Sequence, residues 1–302
     1  MIDFSAVICT HNRSSLLADC INSLLNQNID SENFEILIID NNSTDNTKEI
    51  ATDFCKKHNN IKYFFEKAVG YSAPRNCGWK NASGKIVAYI DDDEIAAPNW
   101  IESILNTFQI EEEPDIIGGI YEVRYDETPP EWFTDSMGGT NKNRQKGVLN
   151  RRADCYLAGG NIALKKEVLE KLNGFSNDFD MKDGVLMMGE DTDICQRAKN
   201  AGFKLYYNPE IVIYHRMNSN NYDIEKRKEK AKKTGMTARF IFGRKPFFSH
   251  YFKYLTYSSM IVADFFMDIF SKRISTKSVL LKEKIAYRKG YFEMDKKLGA
   301  NK

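Results

Sequence analysis

Three consecutive aspartates, Asp91, Asp92 and Asp93, are the residues of this 302-residue sequence whose types and spacing most directly suggest chemistry. They follow the apolar run 86–90, which is typical of a buried strand. Alternation along a strand places Asp91 and Asp93 on one side and Asp92 on the other. Two carboxylates that repel each other both gain from a divalent cation, and their hard oxygen atoms suit Mg²⁺ or Mn²⁺ with a diphosphate in the open positions. A solvated acidic turn that caps the next helix is the alternative, and the position at a strand end favours the metal.

The elements that would position these aspartates alternate between two periodicities over the first hundred residues. Short β-branched runs predict strands at 5–9, 35–40, 61–65 and 86–90, and the segments between them predict helices at 14–26, 44–57 and 73–81. This alternation predicts an α/β fold with a mostly parallel central sheet flanked by helices. Polar residues follow three of the strands, and ligands bind such sheets at the carboxyl ends of the strands. The sequence therefore predicts a site at that edge of the sheet.

A second acidic pair, Glu190 and Asp191, opens a predicted helix that extends to residue 200. A carboxylate at this point is well placed to take the proton of an acceptor hydroxyl as a general base. The alternative is an ordinary helix N-terminus, where Asp and Glu are favoured in any case. The residues alone leave both interpretations open.

Two further segments could contact a ligand. Gly159, Gly160 and Asn161 precede a short predicted strand, and paired glycines allow the backbone to approach a sugar closely. Trp132 lies in a loop at 128–147 that is rich in Pro, Gly and Asn, and a loop of this length is usually functional or mobile. Its ring could stack on an acceptor sugar or pack under the loop, and both interpretations stay open.

Six motifs in a fixed order resemble those of the family 2 glycosyltransferases, a large inverting group with the GT-A (Rossmann-like) fold. They are Val7–Arg13, Asp40–Asp45, Gly70–Gly78, Asp91–Asp93, Gly159–Asn161 and Gly189–Asp191. One such motif alone would be weak, but six in order with consistent spacing are specific. The resemblance implies a nucleotide-sugar donor, Mn²⁺ or Mg²⁺ as cofactor, and transfer with inversion to a glycan or a lipid-linked glycan acceptor.

The resemblance also implies roles for the matched residues. Asp93 would be the main metal ligand, with Asp91 and His215 as further ligands, although a lone histidine is as often structural. Asp191 would be the general base and Glu190 its acceptor-binding neighbour. The acceptor would lie against Gly159, Gly160 and Asn161, beside Trp132. The nucleotide sugar would contact Thr10, Asn12, Arg13, Asp40, Asn42, Gly70, Arg75, Asn76, Asp91 and Asp92, with Arg75 at the pyrophosphate or the base edge. On general grounds Asp40 could instead cap a helix, and Arg75 could be a surface cation.

The formal net charge of +1 hides an uneven distribution along the chain. Residues 226–302 hold 20 Lys and Arg against 6 Asp and Glu, whereas residues 1–225 hold 23 against 36. We therefore predict a catalytic domain over 1–222 and a basic, aromatic-rich helical C-terminal extension over 223–302. The aromatic stretch 240–270 would either lie on an anionic membrane as an amphipathic segment or pack on the catalytic domain. Nucleic acid is not expected as a partner, because no RNA- or DNA-binding module accompanies the charge.

The resemblance implies an inverting, hexosyltransferase-type enzyme that uses a nucleotide-diphosphate sugar, with a UDP-sugar favoured, in the synthesis of a bacterial surface polysaccharide. A nucleotidyltransferase is one alternative, but it would usually carry a glycine-rich loop with Arg and Lys where this chain has Thr10–Arg13. A non-catalytic nucleotide-sugar- or glycan-binding protein is the other, and it would not need the Glu190–Asp191 pair.

The compartment can also be predicted from the sequence. The N-terminus lacks the basic start of a signal peptide, and six scattered cysteines suit a reducing environment. We expect a cytoplasmic protein, peripheral to the inner face of the cytoplasmic membrane.

Overall fold

The computed structural model describes residues 2–139, 144–150, 156–182, 185–243, 259–260 and 274–300. The chain divides into two compact units. The first comprises residues 1–124, 139–186 and 190–216, and the second comprises 125–138, 187–189 and 217–302. The second unit thus takes in a segment from the middle of the chain, in addition to the C-terminal part that the sequence separates at residue 222.

The first unit is built on a mixed sheet. The strands are β1 Phe4–Thr10, β2 Phe34–Asp40, β3 Ile61–Phe65, β4 Ile86–Asp91, β5 Glu94–Ala96, β6 Ile116–Tyr125, β7 Gly147–Val148, β8 Ile162–Lys165 and β11 Leu205–Met217. Their order is β3-β2-β1-β4-β8-β6-β11-β5, with β7 also paired to β11. A separate two-stranded ribbon is formed by β9 Met181–Lys182 and β10 Val185–Leu186.

The parallel part of the sheet is its N-terminal half. β1 pairs in parallel with β2 and β4, and β2 pairs in parallel with β3. Strand β8 pairs antiparallel with β4 and β6, and β11 pairs antiparallel with β5 and β7. The α/β fold class is confirmed, and the parallel pairs given for the described residues join the four strands where the sequence alternates strand with helix.

Helices cover the sheet wherever a parallel connection must cross over. The helices of this unit are α1 Ser14–Leu25, α2 Thr47–Lys57, α3 Ser72–Asn81, α4 Trp100–Phe108, α5 Lys166–Leu172 and α6 Glu190–Asn200. All seven residues of β2 are buried, as expected for a strand covered on both faces. In α1 the buried residues Leu17, Cys20, Ile21 and Leu24 follow helical spacing. Truncating Leu24 to Ala should cost about 2–5 kcal/mol of stability, because the side chain is fully buried.

The second unit contains α7 Ser219–Tyr222, α8 Ile224–Phe242 and α9 Thr276–Ala300. Three ion pairs join α8 to α9: Arg227–Glu283 at 2.5 Å, Lys232–Glu293 at 2.8 Å and Arg239–Asp295 at 2.7 Å. Partner numbers rise together along both helices, so the two helices run parallel. At their crossing a Cβ on Gly235 would lie 1.9 Å from the Tyr287 carbonyl oxygen, and one on Gly290 would lie 1.9 Å from that of Lys232. Only glycine fits at these two positions.

The predictions about the membrane and the cysteines can be compared with the structure only over the described residues. Among the described residues, no helix has the length and apolar character needed to cross a bilayer. Cys9, Cys20, Cys55, Cys77 and Cys195 are free thiols, and Cys155 lies outside the described residues. Most of the aromatic stretch 240–270 also lies outside them.

Candidate active site

The carboxyl ends of the parallel strands bring three predicted site residues side by side. Thr10 is in register with Asp40 across β1 and β2, and Cys9 is in register with Asp91 across β1 and β4. The loops that follow β1 and β2 are tied together, since Asn12 Oδ1 accepts from the Thr44 amide at 2.7 Å. Asn12 and Asn42 both have positive φ angles, of 52° and 62°, which Asn tolerates better than most residues.

Asp40 turns its carboxylate back into the protein. One oxygen accepts from the Ser43 amide at 2.9 Å and the other from the Tyr63 hydroxyl at 2.8 Å. The side chain therefore shapes the turn after β2, and its contact with a nucleotide stays a prediction.

Three carboxylates converge beyond β4. One ligand atom from each of Asp91, Asp93 and Glu94 lies within 4.8 Å of the others. Glu94 is buried, and its carboxylate accepts from the Asp91 amide at 2.9 Å. Burial and the charges of Asp91 and Asp93 raise the pKa of Glu94 well above its ordinary value. Glu94 was not among the predicted site residues, although it directly follows the aspartate triplet and begins β5.

Arg13 is the principal cation beside this cluster. Its Nη1 donates to Asp92 at 2.8 Å and to Asp93 at 2.7 Å, and 47% of its side chain is exposed. Burial raises the pKa of Asp92 to about 6, against the lowering effect of Arg13. Burial also acts to raise the pKa of Asp93, but the neighbouring His215 and the charge of Arg13 outweigh it and hold that pKa below its ordinary range.

His215 lies at the same cluster. Its Nε2 is 3.8 Å from Asp93 Oδ2, and its ring meets that of Tyr121 edge to face, with 6.1 Å between centroids. In register, His215 on β11 pairs with Glu94 on β5. The antiparallel half of the sheet thus delivers two of the residues that surround Asp93.

The second acidic pair begins α6, as predicted. Asp191 Oδ2 accepts from the Gly159 amide at 3.0 Å and Oδ1 accepts from the Thr192 amide at 2.6 Å. Burial and the charge of Asp191 raise the pKa of Glu190 to about 7, against the lowering effect of Arg75. Burial likewise raises the pKa of Asp191. Both carboxyls therefore hold a proton at a higher pH than an exposed carboxyl would.

Arg75 connects the two acidic groups. Its Nε donates to Glu190 at 3.1 Å, its Nη1 to the Gly159 carbonyl at 2.7 Å, and its Nη2 to Asp91 at 3.3 Å. Only 6% of its side chain is exposed, so Arg75 is not a surface cation.

The turn Gly159–Asn161 lies against these charged groups. A Cβ on Gly159 would come within 2.7 Å of Arg75 Nη2, and one on Gly160 within 2.5 Å of the Glu94 carboxylate. The glycines are therefore needed for close approach, here to side chains of the chain itself.

Two of the residues predicted to contact a ligand, Asn161 and Asn76, form hydrogen bonds within the chain. Asn161 is buried, accepts from Trp100 Nε1 at 2.9 Å and donates to the carbonyls of Ile120 and Ile211. Asn76 donates to the Phe175 carbonyl at 2.8 Å and accepts from the Phe175 amide at 2.9 Å. These side-chain amides hold neighbouring strands and loops together. Periodicity in the sequence does not distinguish such a structural role from contact with a ligand.

Asp180 was missed by the sequence analysis. Its Oδ1 accepts from the amides of Ser72 and Ala73, both at 2.9 Å, and Gly70 forms a bridge with it. The N-terminus of α3 is therefore capped by a carboxylate of the chain itself, which is distant in sequence and carries no local signal.

Trp132 belongs to the second unit and is 8% exposed. Its carbonyl accepts from Thr276 at 2.7 Å, and its ring contacts Phe133, which in turn packs against Tyr222. The ring is thus packed against Phe133, and its stacking on an acceptor sugar stays a prediction.

Comparisons with known proteins follow this geometry. Residues 5–172 match the model described as glycosyl transferase family 2, and residues 152–237 match one described as the N-terminal domain of galactosyltransferase. The glycosyltransferase AglE of Haloferax volcanii is 28% identical over 218 residues, which cover 70% of this chain and 66% of that protein. The chain thus spans just under two thirds of that relative's length.

Two solved structures share the fold. The mannosyltransferase PcManGT from Pyrobaculum calidifontis, in complex with GDP-Man and Mn²⁺, has a TM-score of 0.63 at 14% identity, covering 99% of this chain and 87% of that one. Residues 1–349 of S. aureus TarS, in complex with UDP-GlcNAc, have a TM-score of 0.55 at 15% identity, covering 98% of this chain and 92% of that one. The likeness confirms the GT-A fold class.

Proposed function

Because this chain belongs to glycosyl transferase family 2, we propose that it transfers a sugar from a nucleoside-diphosphate sugar to a hydroxyl of a glycan or lipid-linked glycan. The glycosyltransferase class predicted from the sequence is confirmed at the level of the family. The observation that carries the proposal is the meeting of Asp91, Asp93 and Glu94 at the strand ends, with the Glu190–Asp191 pair joined to Asp91 through Arg75. A UDP-sugar is the first donor to test and a GDP-sugar the second.

The residues around Asp93 fit a divalent cation. Three carboxylates whose oxygens lie within 4.8 Å repel one another, and their hard oxygen atoms suit Mn²⁺ or Mg²⁺. Asp93 and Asp91 would hold the ion, and His215 would be a third ligand. When bound, the ion would neutralise charge on the leaving diphosphate. Thr10, Asn12, Arg13 and Asn42 border the same strand ends and would contact the nucleotide.

Asp191 supplies the proton acceptor in this proposal. Its carboxylate is oriented by the Gly159 and Thr192 amides, and its pKa is raised by burial, which makes it a stronger base than an exposed aspartate. Asp191 would take the proton of the acceptor hydroxyl as that oxygen attacks the anomeric carbon. The bond from this carbon to the diphosphate oxygen would break, the nucleoside diphosphate would leave, and the anomeric centre would be inverted.

A donor screen tests the proposal. Purified protein is incubated with nucleoside-diphosphate sugars in Mn²⁺, in Mg²⁺ and in EDTA, and release of nucleoside diphosphate is measured with and without glycan acceptors. We expect metal-dependent release from one donor, and its loss in Asp93→Ala. Asp53→Ala is the matched control, because Asp53 is an exposed aspartate of α2 in the same unit.

Other outcomes would contradict the proposal in recognisable ways. Release of inorganic pyrophosphate would indicate a nucleotidyltransferase, and metal-dependent binding of a nucleotide sugar without any turnover would indicate a binding protein. Unchanged release in Asp93→Ala would remove the proposed metal site.

The charge distribution supports a lipid-linked acceptor at a membrane surface. All three acidic residues of α9, Glu283, Glu293 and Asp295, are paired with α8. The exposed lysines of α9 are Lys277, Lys284, Lys289, Lys296 and Lys297. The acidic residues of α9 are all paired with α8, across what we call the helix seam. The exposed lysines therefore give α9 a cationic surface that suits anionic headgroups. We propose that this surface holds the enzyme at the inner face of the cytoplasmic membrane, where a surface polysaccharide is built.

Sedimentation with vesicles tests the membrane contact. The full chain should sediment with phosphatidylglycerol-containing vesicles and not with pure phosphatidylcholine. The triple variant Lys289→Glu, Lys296→Glu, Lys297→Glu should lose this binding by about 10²-fold or more, since each lysine contributes about 1 kcal/mol near an anionic surface. The control is Lys56→Glu, Lys57→Glu, Lys85→Glu, which changes exposed lysines of the first unit. Equal loss in both triples would contradict a contact through α9.

A further inference from the structure

The Arg75 side chain is held on all sides by the chain itself. Its guanidinium donates to Asp91, to Glu190 and to the Gly159 carbonyl. It also lies over the rings of Tyr89 and Phe175, 5.3 and 5.9 Å from their centroids. The Tyr89 hydroxyl in turn donates to the Arg75 carbonyl at 3.0 Å. Both the backbone and the side chain of this residue are therefore fixed in place.

The Gly159 peptide extends this arrangement to Asp191. Arg75 Nη1 donates to the Gly159 carbonyl at 2.7 Å, while the Gly159 amide donates to Asp191 at 3.0 Å. One glycine residue thus lies between the guanidinium and the proposed base. A side chain at position 159 would collide with Arg75 Nη2, so the contact depends on this glycine.

A buried cation is expensive to maintain unless its partners are well placed. Removing one partner of a buried ion pair is strongly destabilising, because it leaves an uncompensated charge. Here the guanidinium fork matches two carboxylates that come from β4 and from α6. The planar fork fixes distances and angles that a lysine ammonium cannot.

We propose that Arg75 is a positioning residue that couples the donor-side carboxylate Asp91 to the Glu190–Asp191 pair, without itself contacting the nucleotide sugar. It holds Asp91 at one end of its guanidinium and Glu190 at the other, and through the Gly159 turn it sets the place of Asp191. Loss of the fork would let the base drift relative to the donor, and a displacement of about 1 Å can reduce turnover by about 10²-fold.

This inference rests on the proposed function but differs from the role that the family resemblance implies. A contact with the pyrophosphate or the base edge would make Arg75 a binding residue, and its loss would weaken nucleotide affinity. A positioning residue leaves nucleotide affinity nearly intact and lowers turnover. The two roles are therefore separable by measuring kcat and nucleotide Kd on the same variants.

The experiment compares Arg75→Lys and Arg75→Gln with matched changes at Arg197. Arg197 makes the same kind of fork in the same unit, to the Asp193 carboxylate at 2.7 Å and to the carbonyls of Leu172 and Gly174 at 2.9 and 2.8 Å. Binding of UDP and of GDP with Mn²⁺ is measured by calorimetry, kcat with the active donor, and unfolding temperature for every variant.

We expect Arg75→Lys to lower kcat by about 10²-fold, and Arg75→Gln to lower it further, because lysine retains the charge but not the fork. The Kd of the nucleotide should stay within about threefold, since by this inference Arg75 makes no donor contact. Arg197→Lys should lose stability while its kcat stays near that of the unmodified chain. If Arg75→Gln does not fold, the comparison is made between Arg75→Lys and Arg197→Lys.

Two results would overturn the inference. Nucleotide affinity weakened by tenfold or more in Arg75→Lys would make Arg75 a donor-binding residue, and equal kcat losses in Arg75→Lys and Arg197→Lys would make its role structural. Failure of the proposed function is distinct from both, because the unmodified chain would then neither release nor bind a nucleoside diphosphate.

Discussion

Two arginines of the first unit pair with carboxylates, and they differ in their access to water. Nearly half of the Arg13 side chain is exposed where it pairs with Asp92 and Asp93. Arg75 is itself 6% exposed and pairs with the buried Glu190 and with Asp91, whose side chain is 41% exposed. An exposed arginine can leave its partners at little cost, and a buried one cannot. The cluster at Asp93 is thus open to another cation, while the Glu190–Asp191 pair is fixed in place.

The same contrast appears in the pKa values of the acidic groups. The pKa of Asp93 is held below its ordinary range, which keeps the carboxylate charged and ready for a cation. The pKa values of Glu190 and Asp191 are raised by burial, which suits groups that accept a proton. One fold therefore prepares neighbouring carboxylates for two different tasks.

The largest effect should come from removing the buried arginine. We expect Arg75→Gln to lower the free energy of unfolding by about 3–5 kcal/mol, because Asp91 and Glu190 are left without their buried cation. Arg13→Gln should cost no more than about 1 kcal/mol, since the half-exposed guanidinium is well solvated and contributes little as a partner. Urea denaturation of the two variants measures both values. Equal losses would show that burial does not distinguish the two arginines.

Turnover should respond to pH through the second carboxylate pair. The base must be deprotonated, and burial raises the pKa of Glu190 to about 7 and also raises that of Asp191. Activity should therefore be full above this range and fall by about tenfold per pH unit as the pH drops below it. The profile of kcat/KM at saturating Mn²⁺ measures this limb. A limb near the ordinary carboxylate range of about 4 would contradict the raised pKa of the pair.

A smaller effect than that of the buried arginine should come from the ion pairs that join α8 to α9 in the second unit. Arg239 pairs with Asp295 at 2.7 Å, and both side chains are largely buried. Arg239→Gln should destabilise this unit by about 1–3 kcal/mol, an intermediate loss between those of Arg13 and Arg75. Thermal unfolding detects the change, and Lys228→Gln, which alters a pair within α8, is the control. A loss no larger than that of the control would show that the seam pairs behave as surface pairs.

Local pattern was enough to predict one half of the first unit. Strand and helix alternate through residue 91, and the predicted strands β1 to β4 and the acidic residues at their ends are where the sequence places them. β8, β6, β11 and β5 pair antiparallel or across long gaps, and such pairings leave no periodic signal. Glu94 was not predicted as a site residue, because its place in the site depends on β5 lying beside β11.

Residue type alone does not show whether a polar side chain binds a ligand or holds the fold together, and burial in the structure adds this information. Asn161, Asn76 and Asp180 are polar residues near glycine-rich motifs, yet their hydrogen bonds run to backbone groups distant in sequence. Arg75 is a similar case, since nothing in the local sequence shows that two carboxylates enclose it. In the second unit, α8 and α9 run parallel and are joined by ion pairs. From the sequence, this part of the chain could be predicted only to be basic and helical.

The division of labour between the two carboxylate groups is the central claim, and nucleotide binding tests it most directly. Calorimetric titration of the active nucleoside diphosphate with Mn²⁺ should show lost or strongly weakened binding in Asp93→Ala and unchanged binding in Asp191→Asn. Turnover should be lost in both, by about 10²–10⁴-fold in Asp191→Asn. Retained binding in Asp93→Ala, or retained turnover in Asp191→Asn, would contradict the account.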